Sequence, residues 1–250
     1  MHTDLKKFIS DILIDTVQRT VQRMDSEDTH RPFHAALLSE NLLTSSRFER
    51  SFSTSFGQGA IEKISAEVLK YNGASNVRNQ FVSNVSIPSI KSQSISKLID
   101  NLRDPKTSLA TPNWNNEVSA LSSLHVTQSH PFENLRIISD LYWFRDGAHN
   151  YASIKTVKPN IDQTAQAKKD LLSLKVADPT CNTFFCLYYN PYGEDRSDYA
   201  HKAPANIFDF KKDACVLIGK DYWDHLGGIG FYEELLDVFE EAGKQTRLMF

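Results

Sequence analysis

Apolar residues recur every three to four positions between Asp4 and Met24, where Leu5, Phe8, Ile9, Ile12, Leu13, Val17 and Val21 fall on one stripe. That period predicts an amphipathic helix able to pack on the core or across a dimer interface. The stretch 25–46 is polar and mixed, which predicts loop with a short helix near Pro32 to Ser39. Helical spacing resumes after Gly57-Gln58-Gly59, with Ile61, Ile64, Val68 and Leu69, so Glu62–Tyr71 reads as a helix. Residues 72–116 are rich in Ser and Asn; apart from helical periodicity near Ile95 to Leu102 they read as a polar surface segment.

The strongest local signal lies between Asp140 and Lys158. Aromatic and β-branched residues flank Asp146-Gly147, the residue pair that a two-residue hairpin turn prefers. A polar helical stretch, DQTAQAKKDLL, follows. Two continuous apolar runs, Thr183–Asn190 and Ala214–Gly219, read as buried strands that extend the sheet behind the hairpin. The chain between them is polar, aromatic and basic by turns, as suits an exposed loop. A last helix follows Gly227-Gly228, with Phe231, Leu235, Val238 and Phe239 facing inward.

Side chains alternate along a strand, so Asp140, Tyr142 and Phe144 share one face of the first hairpin strand, and Ser153, Lys155 and Val157 one face of the second. Asp140 and Lys155 therefore converge. A carboxylate and an ammonium held together suit a divalent metal and an attacking water, the usual assembly for phosphodiester hydrolysis. The competing reading is a solvated cross-strand ion pair. Against it, the strand YASIKTVK is apolar on both sides of Lys155, where an idle lysine is costly.

With those residues in view, the hairpin ending in IKTVKPN, the earlier RFERSFSTSFGQG, and the later YYNPYGE and VLIGKDYWDHLGG resemble a family of type II restriction endonucleases of the PD-(D/E)xK superfamily, from roughly Arg47 to the C-terminus. Within it the chain is similar to enzymes that cut sites of the GG-N-CC type. The resemblance implies an α/β fold with a mixed central sheet flanked by helices, a Mg²⁺ cofactor, and a homodimer that cleaves double-stranded DNA at a short, usually palindromic site. It makes Asp140 the motif's first acid and metal ligand, and Lys155 the residue that orients or deprotonates the attacking water. The carbonyl of Ile154 would complete the protein's share of the metal site. Where the motif has a second acid, this chain has Ser153. A hydroxyl is a poor Mg²⁺ ligand beside a carboxylate. Some members of the superfamily resemble this case, with S-x-K at that point and an acid delivered from a neighbouring helix.

Glu62, Asp162 and Asp170 are the candidates for that acid, Glu62 first. Each also has a plainer reading: Glu62 as a helix-dipole partner, Asp162 as the N-cap of the helix after Asn160, Asp170 on a solvated face. The resemblance also makes Arg47 and Arg50 phosphate contacts, a role that planar guanidinium forks suit, and points Lys158 at the DNA backbone. Arg196, His201 and Lys202 are candidate base or phosphate contacts in the loop before the last strand.

Composition bounds these readings. A 250-residue chain with 40% hydrophobic residues can bury one large core, and no linker is evident. The expectation is one nuclease domain over residues 1–250, with an N-terminal helical segment over 1–46 and a recognition or insertion segment over 72–130. A net charge of −3 gives no overall basic footprint, which leaves DNA binding to locally clustered cations. Cys181, Cys186 and Cys215 form no CxxC pair and fit a reduced, cytoplasmic protein. The eight histidines show no zinc-ligand spacing. Two other functions remain open on the sequence: a repair or recombination nuclease without strict sequence preference, and a DNA-binding domain inactivated by Ser153.

Overall fold

The computed structural model describes residues 1–26, 32–104, 111–202 and 206–249. In chain order the main elements are α1 (Thr3–Ser26), α2 (Pro32–Leu37), α3 (Glu40–Ser55), a π-helical turn (Phe56–Ala60), α4 (Ile61–Tyr71), β1 (Ser75–Pro88), α5 (Ser89–Arg103), α6 (Trp114–Ser123), β2 (Phe132–Arg145), β3 (Ala148–Lys155), α7 (Ile161–Ala177), β4 (Asn182–Leu187), β5 (Val216–Ile218), α8 (Lys220–Gly227) and α9 (Phe231–Thr246). They divide between two compact units, Met1–Val68 with Ile229–Phe250, and Leu69–Gly228. Among the described residues no helix is long and apolar enough to cross a membrane.

The first unit is helical. Leu5, Ile9 and Leu13 of α1 are buried at a spacing of four, whereas Phe8, assigned to the same stripe, is exposed. The stripe is therefore narrower than the sequence suggests. α1 runs beside α9, with Lys6 Nζ 2.9 Å from the Glu241 carboxylate. On α9, Phe231, Leu235 and Val238 are buried, and Phe239 is half-buried with its ring edge-on to Phe56. Residues 40–55, read as polar loop and a motif, form α3, along which the rings of Phe48, Phe52 and Phe56 stack one turn apart. The π-turn carries α3 directly into α4, whose Ile61, Ile64 and Val68 are buried.

The second unit is a five-stranded sheet in the order β1-β2-β3-β4-β5. The first two pairings are antiparallel and the last two parallel, so the expected mixed sheet flanked by helices is present. The hairpin forms as its sequence predicts, with Asp146 and Gly147 both at positive φ (54° and 76°), the type I′ geometry that matches strand twist. The Ser- and Asn-rich stretch contributes the edge strand β1 together with α5 and the start of α6. Most polar residues of β1 are exposed along this edge strand, with Ser83 buried, which is why composition alone reads it as surface.

One sheet face is covered by α5, α6 and α7: Ile95, Leu102, Trp114, Leu171 and Leu172 pack with Phe185 and Leu187 of β4. On the other face Trp143 stacks on Phe184 at 5.9 Å, and His225 of α8 lies 4.6 Å from the Phe184 ring. Arg145 closes the C-terminal end of α8, donating to the carbonyls of His225 (2.7 Å) and Leu226 (3.2 Å).

An ion pair sits inside the first of these layers. Lys168, on the helix the sequence presents as polar, is fully buried. Its Nζ lies 2.7 Å from Glu117 Oε1 and 2.6 Å from the Ile207 carbonyl. Burial pulls the lysine's pKa below its ordinary value, and the glutamate opposes that shift. The pair pins α7 to α6. Glu117→Gln should destabilise the protein by about 3–5 kcal/mol in urea denaturation, because it strands a buried charge, while Glu117→Leu with Lys168→Met should recover most of the loss. A cost below about 1 kcal/mol for Glu117→Gln would mean that the pair is not a buried constraint.

His225 gives a pH dependence. Burial first, then the Arg145 charge, push its pKa from 6.5 down to about 4. As pH falls the unfolded chain takes up the proton before the folded one does. Stability is therefore complete above pH 6.5 and lost progressively down to pH 4, by about 3 kcal/mol from this residue. Unfolding free energies measured at pH 7 and pH 4.5 should differ less in His225→Phe than in the parent; equal slopes would remove His225 as a source.

Candidate active site

The site forms where β2 leaves β3. The ladder between these strands ends at Leu141 and Ala152, which places Asp140 level with Ser153 just beyond it. The backbone N–H of Ile154 there needs an acceptor, and the Asp140 carboxylate supplies it: Oδ2 accepts from Ile154 N at 2.7 Å. The same oxygen accepts from Lys155 Nζ at 3.0 Å and from Ser153 Oγ at 3.3 Å. Asp140 and Lys155 are 18% and 24% exposed, so their pair is partly shielded yet open to a ligand.

β1 adds a residue that no sequence pattern singles out. Pairing of Asn79 with Leu141 and of Phe81 with Ser139 sets Gln80 level with Asp140. Its Nε2 donates to Asp140 Oδ1 at 3.4 Å. Gln80 has φ 50°, a left-handed conformation uncommon outside glycine. This turn of the backbone resets the side-chain alternation of β1, and Phe81 stacks on Tyr142 at 4.2 Å. Strain of this kind gathers at functional sites.

α7 supplies an acid on the same side. β3 pairs Ser153 with Phe185 and Lys155 with Leu187, and those two apolar side chains pack against Leu171 and Leu172. Asp170 precedes them on the helix and accepts from Gln166 Nε2 at 2.8 Å. Burial raises the Asp170 pKa above the ordinary carboxylate range; the Gln166 bond and the Lys155 charge oppose this, and the Asp140 charge adds to it. Asp170 is thus within electrostatic reach of both hairpin residues, and the solvated face the sequence assigns to it is partly covered. Beneath, the buried Cys186 thiol is pushed well up by burial, with the Asp140 charge adding to the shift.

The other sequence-derived candidates are dispersed. Glu62 lies on α4 in the helical unit, half-buried and engaged with neighbours. Asp162 is 71% exposed and ion-paired with Arg103 of α5. It is not the N-cap of α7 either: Asn160 is, accepting from Gln163 N at 2.8 Å. Arg47 and Arg50 are on α3, where Arg47 Nη2 lies 3.4 Å from Thr44 Oγ1 and Arg50 is exposed. Lys158 is exposed and stands 5.4 Å over the Tyr192 ring. Arg196 is turned inward: Nε and Nη2 each donate at 2.5 Å, to the carbonyls of Phe210 and Asp213, so its fork holds a loop. His201 Nε2 is 3.1 Å from the Pro159 carbonyl, and Lys202 is exposed.

Among the described residues no group of three or more His, Cys, Asp or Glu side chains is placed to hold a metal. A divalent cation held at the notch would take one or two carboxylates and fill its remaining positions with water and substrate phosphate oxygens. The donors at hand are Asp140 Oδ1, which accepts the long Gln80 bond, the Asp170 carboxylate and backbone carbonyls beside them.

Curated proteins similar to this chain carry one description. It is 29% identical to the type II restriction enzyme HgiCII of Herpetosiphon aurantiacus over 88% of this chain and 80% of that one. It is 27% identical to HgiBI, a type II restriction enzyme of the same organism, over 96% and 90%. With the type II restriction enzyme MjaII of Methanocaldococcus jannaschii it shares 24% identity over 96% and 71%. No solved structure matches the chain. The model of the HinfI type II restriction endonuclease family matches residues 1–243, and the chain accordingly belongs to that family of site-specific deoxyribonucleases.

Proposed function

We propose that the chain cuts double-stranded DNA by Mg²⁺-dependent phosphodiester hydrolysis at a short palindromic site, acting as a cytoplasmic homodimer. The observation that carries the catalytic reading is the 3.0 Å approach of Lys155 Nζ to Asp140 in a partly open notch. A bound metal would activate water and neutralise charge on the phosphate. Asp140 would hold it through Oδ1, the oxygen not engaged by β3. Lys155 would leave the carboxylate, accept a water as hydrogen-bond partner and aim it in line with the scissile phosphorus. As the phosphorane charge develops, the same ammonium stabilises it electrostatically. Asp170 supplies the second carboxylate that Ser153 lacks, with Gln166 orienting it; its reach to Lys155 and Asp140 supports it ahead of Glu62 and Asp162. Gln80 would hold the orientation of Asp140. A two-fold symmetric target asks for a two-fold symmetric protein, which supports the dimer.

Ser153 favours a second reading, a binding module that has lost cleavage, and one experiment separates the readings. Plasmid DNA incubated with protein and Mg²⁺ should give discrete fragments; intact plasmid would support the binding module and a smear a non-specific nuclease. Lys155→Ala should lower the cleavage rate by about 10²–10⁴-fold, the span for losing a positioned proton-transfer group, while leaving DNA binding in place. Asp170→Asn should reduce cleavage similarly and raise the Mg²⁺ concentration for half-maximal rate. If Glu62→Gln does this and Asp170→Asn does not, the second carboxylate comes from the helical unit instead.

A further inference from the structure

We propose that the helical unit carries its own DNA phosphate site, a cleft between α1 and the continuous α3–π–α4 rod in which Arg19, Arg23 and Lys63 hold a backbone phosphate of the duplex. The proposal rests on the reading of the chain as a DNA-cleaving enzyme and adds a contact surface apart from the hairpin notch.

The cleft measures about 560 Å³, and Asp15, Arg19, Arg23, Ser55, Gly59 and Lys63 are among its lining residues. Three cations face one acid in a chain whose net charge is −3, so the positive character is local. The arginines are already arranged. Arg19 donates to Asp15 through Nε at 2.8 Å, which leaves the N–H groups of both Nη atoms for a ligand. Arg23 spans the cleft: Nε reaches the Arg19 carbonyl at 3.3 Å, while Nη2 bonds the Ser55 hydroxyl on the opposite wall. Lys63 is exposed in the first turns of α4, and no described carboxylate pairs with it. A pair of guanidinium forks with a nearby ammonium is a phosphate-recognising set.

Gly59 points the same way. It sits within the π-turn, a helical irregularity often found at functional sites. Glycine is a poor helix former, and here neither of its usual justifications holds. Its φ is outside the left-handed region, and an added Cβ would meet no atom within 4 Å. The protein's own packing leaves that position open, so the backbone is bare toward whatever enters the cleft. The charged side chains in the lining disfavour an apolar small molecule. Phosphate is the anion that the substrate of this family presents along its whole length.

Binding of a mixed-sequence duplex, followed by fluorescence anisotropy in EDTA across a salt series, tests the cleft without cleavage. Lys63→Ala and Arg19→Ala should each weaken binding several-fold and flatten the slope of log affinity against log salt, and the double variant should flatten it by about 0.9, the one phosphate contact. Asp15→Asn should tighten binding by removing the competing carboxylate. Gly59→Leu should raise Tm, as a better helix former, while weakening binding by filling the cleft; opposite signs in one variant separate a site from a fold defect. Parent-like slopes in both alanine variants, or parent-like affinity in Gly59→Leu, would overturn the proposal. A parent protein that binds no duplex would instead defeat the nuclease reading itself.

Discussion

The notch around Asp140 and Lys155 exists because β2 and β3 part company at Asp140. Beyond Leu141 the second strand follows β1 alone, and β3 is left with a backbone N–H on its open side. A buried or half-buried N–H must be paired, and the Asp140 carboxylate does this at 2.7 Å. One oxygen is thereby fixed by main chain and directed at Ser153 and Lys155 on the same strand. The second oxygen remains for a ligand. Sheet splitting, carboxylate orientation and the placement of the lysine are one geometric event.

α7 carries the carboxylate proposed as the site's second acid, and a buried contact holds that helix in place. Asp170 lies two positions after Lys168, which is buried against Glu117, and its carboxyl feels the charges of Lys155 and Asp140. A helix pinned internally by an ion pair cannot rotate without stranding a charge, so the bearing of Asp170 is held by a contact on a different side of the helix. The cost of burying Lys168 therefore has a structural return in specificity of packing.

The helical unit stands in a different relation to its sequence. α1 and α9 hold each other through apolar stripes and the Lys6–Glu241 pair, while the rod of α3, π-turn and α4 borders a cation-lined cleft. Family membership extends through this unit, since the match begins at residue 1. DNA enzymes gain affinity from phosphate contacts and specificity from base contacts, and the two need not share a surface.

The hairpin was legible from sequence because its signals are local: Asp146-Gly147 dictates the turn, and period-two alternation puts Asp140 and Lys155 on one side. The two apolar runs gave β4 and β5 for the same reason, and the motif resemblance gave the family. What no local pattern could supply is partnership across distance. Gln80 meets Asp140 across sixty residues on a strand whose Ser and Asn content hides it. Lys168 lies in a stretch that reads only as a polar helix until α6 brings Glu117 against it, and Arg196, a candidate base or phosphate contact, has its fork held by the 210–213 loop. A side chain's type and period follow from the chain alone, but its partner depends on which elements fold against it, because charge and hydrogen-bond energies are set by neighbours and burial that only tertiary packing defines.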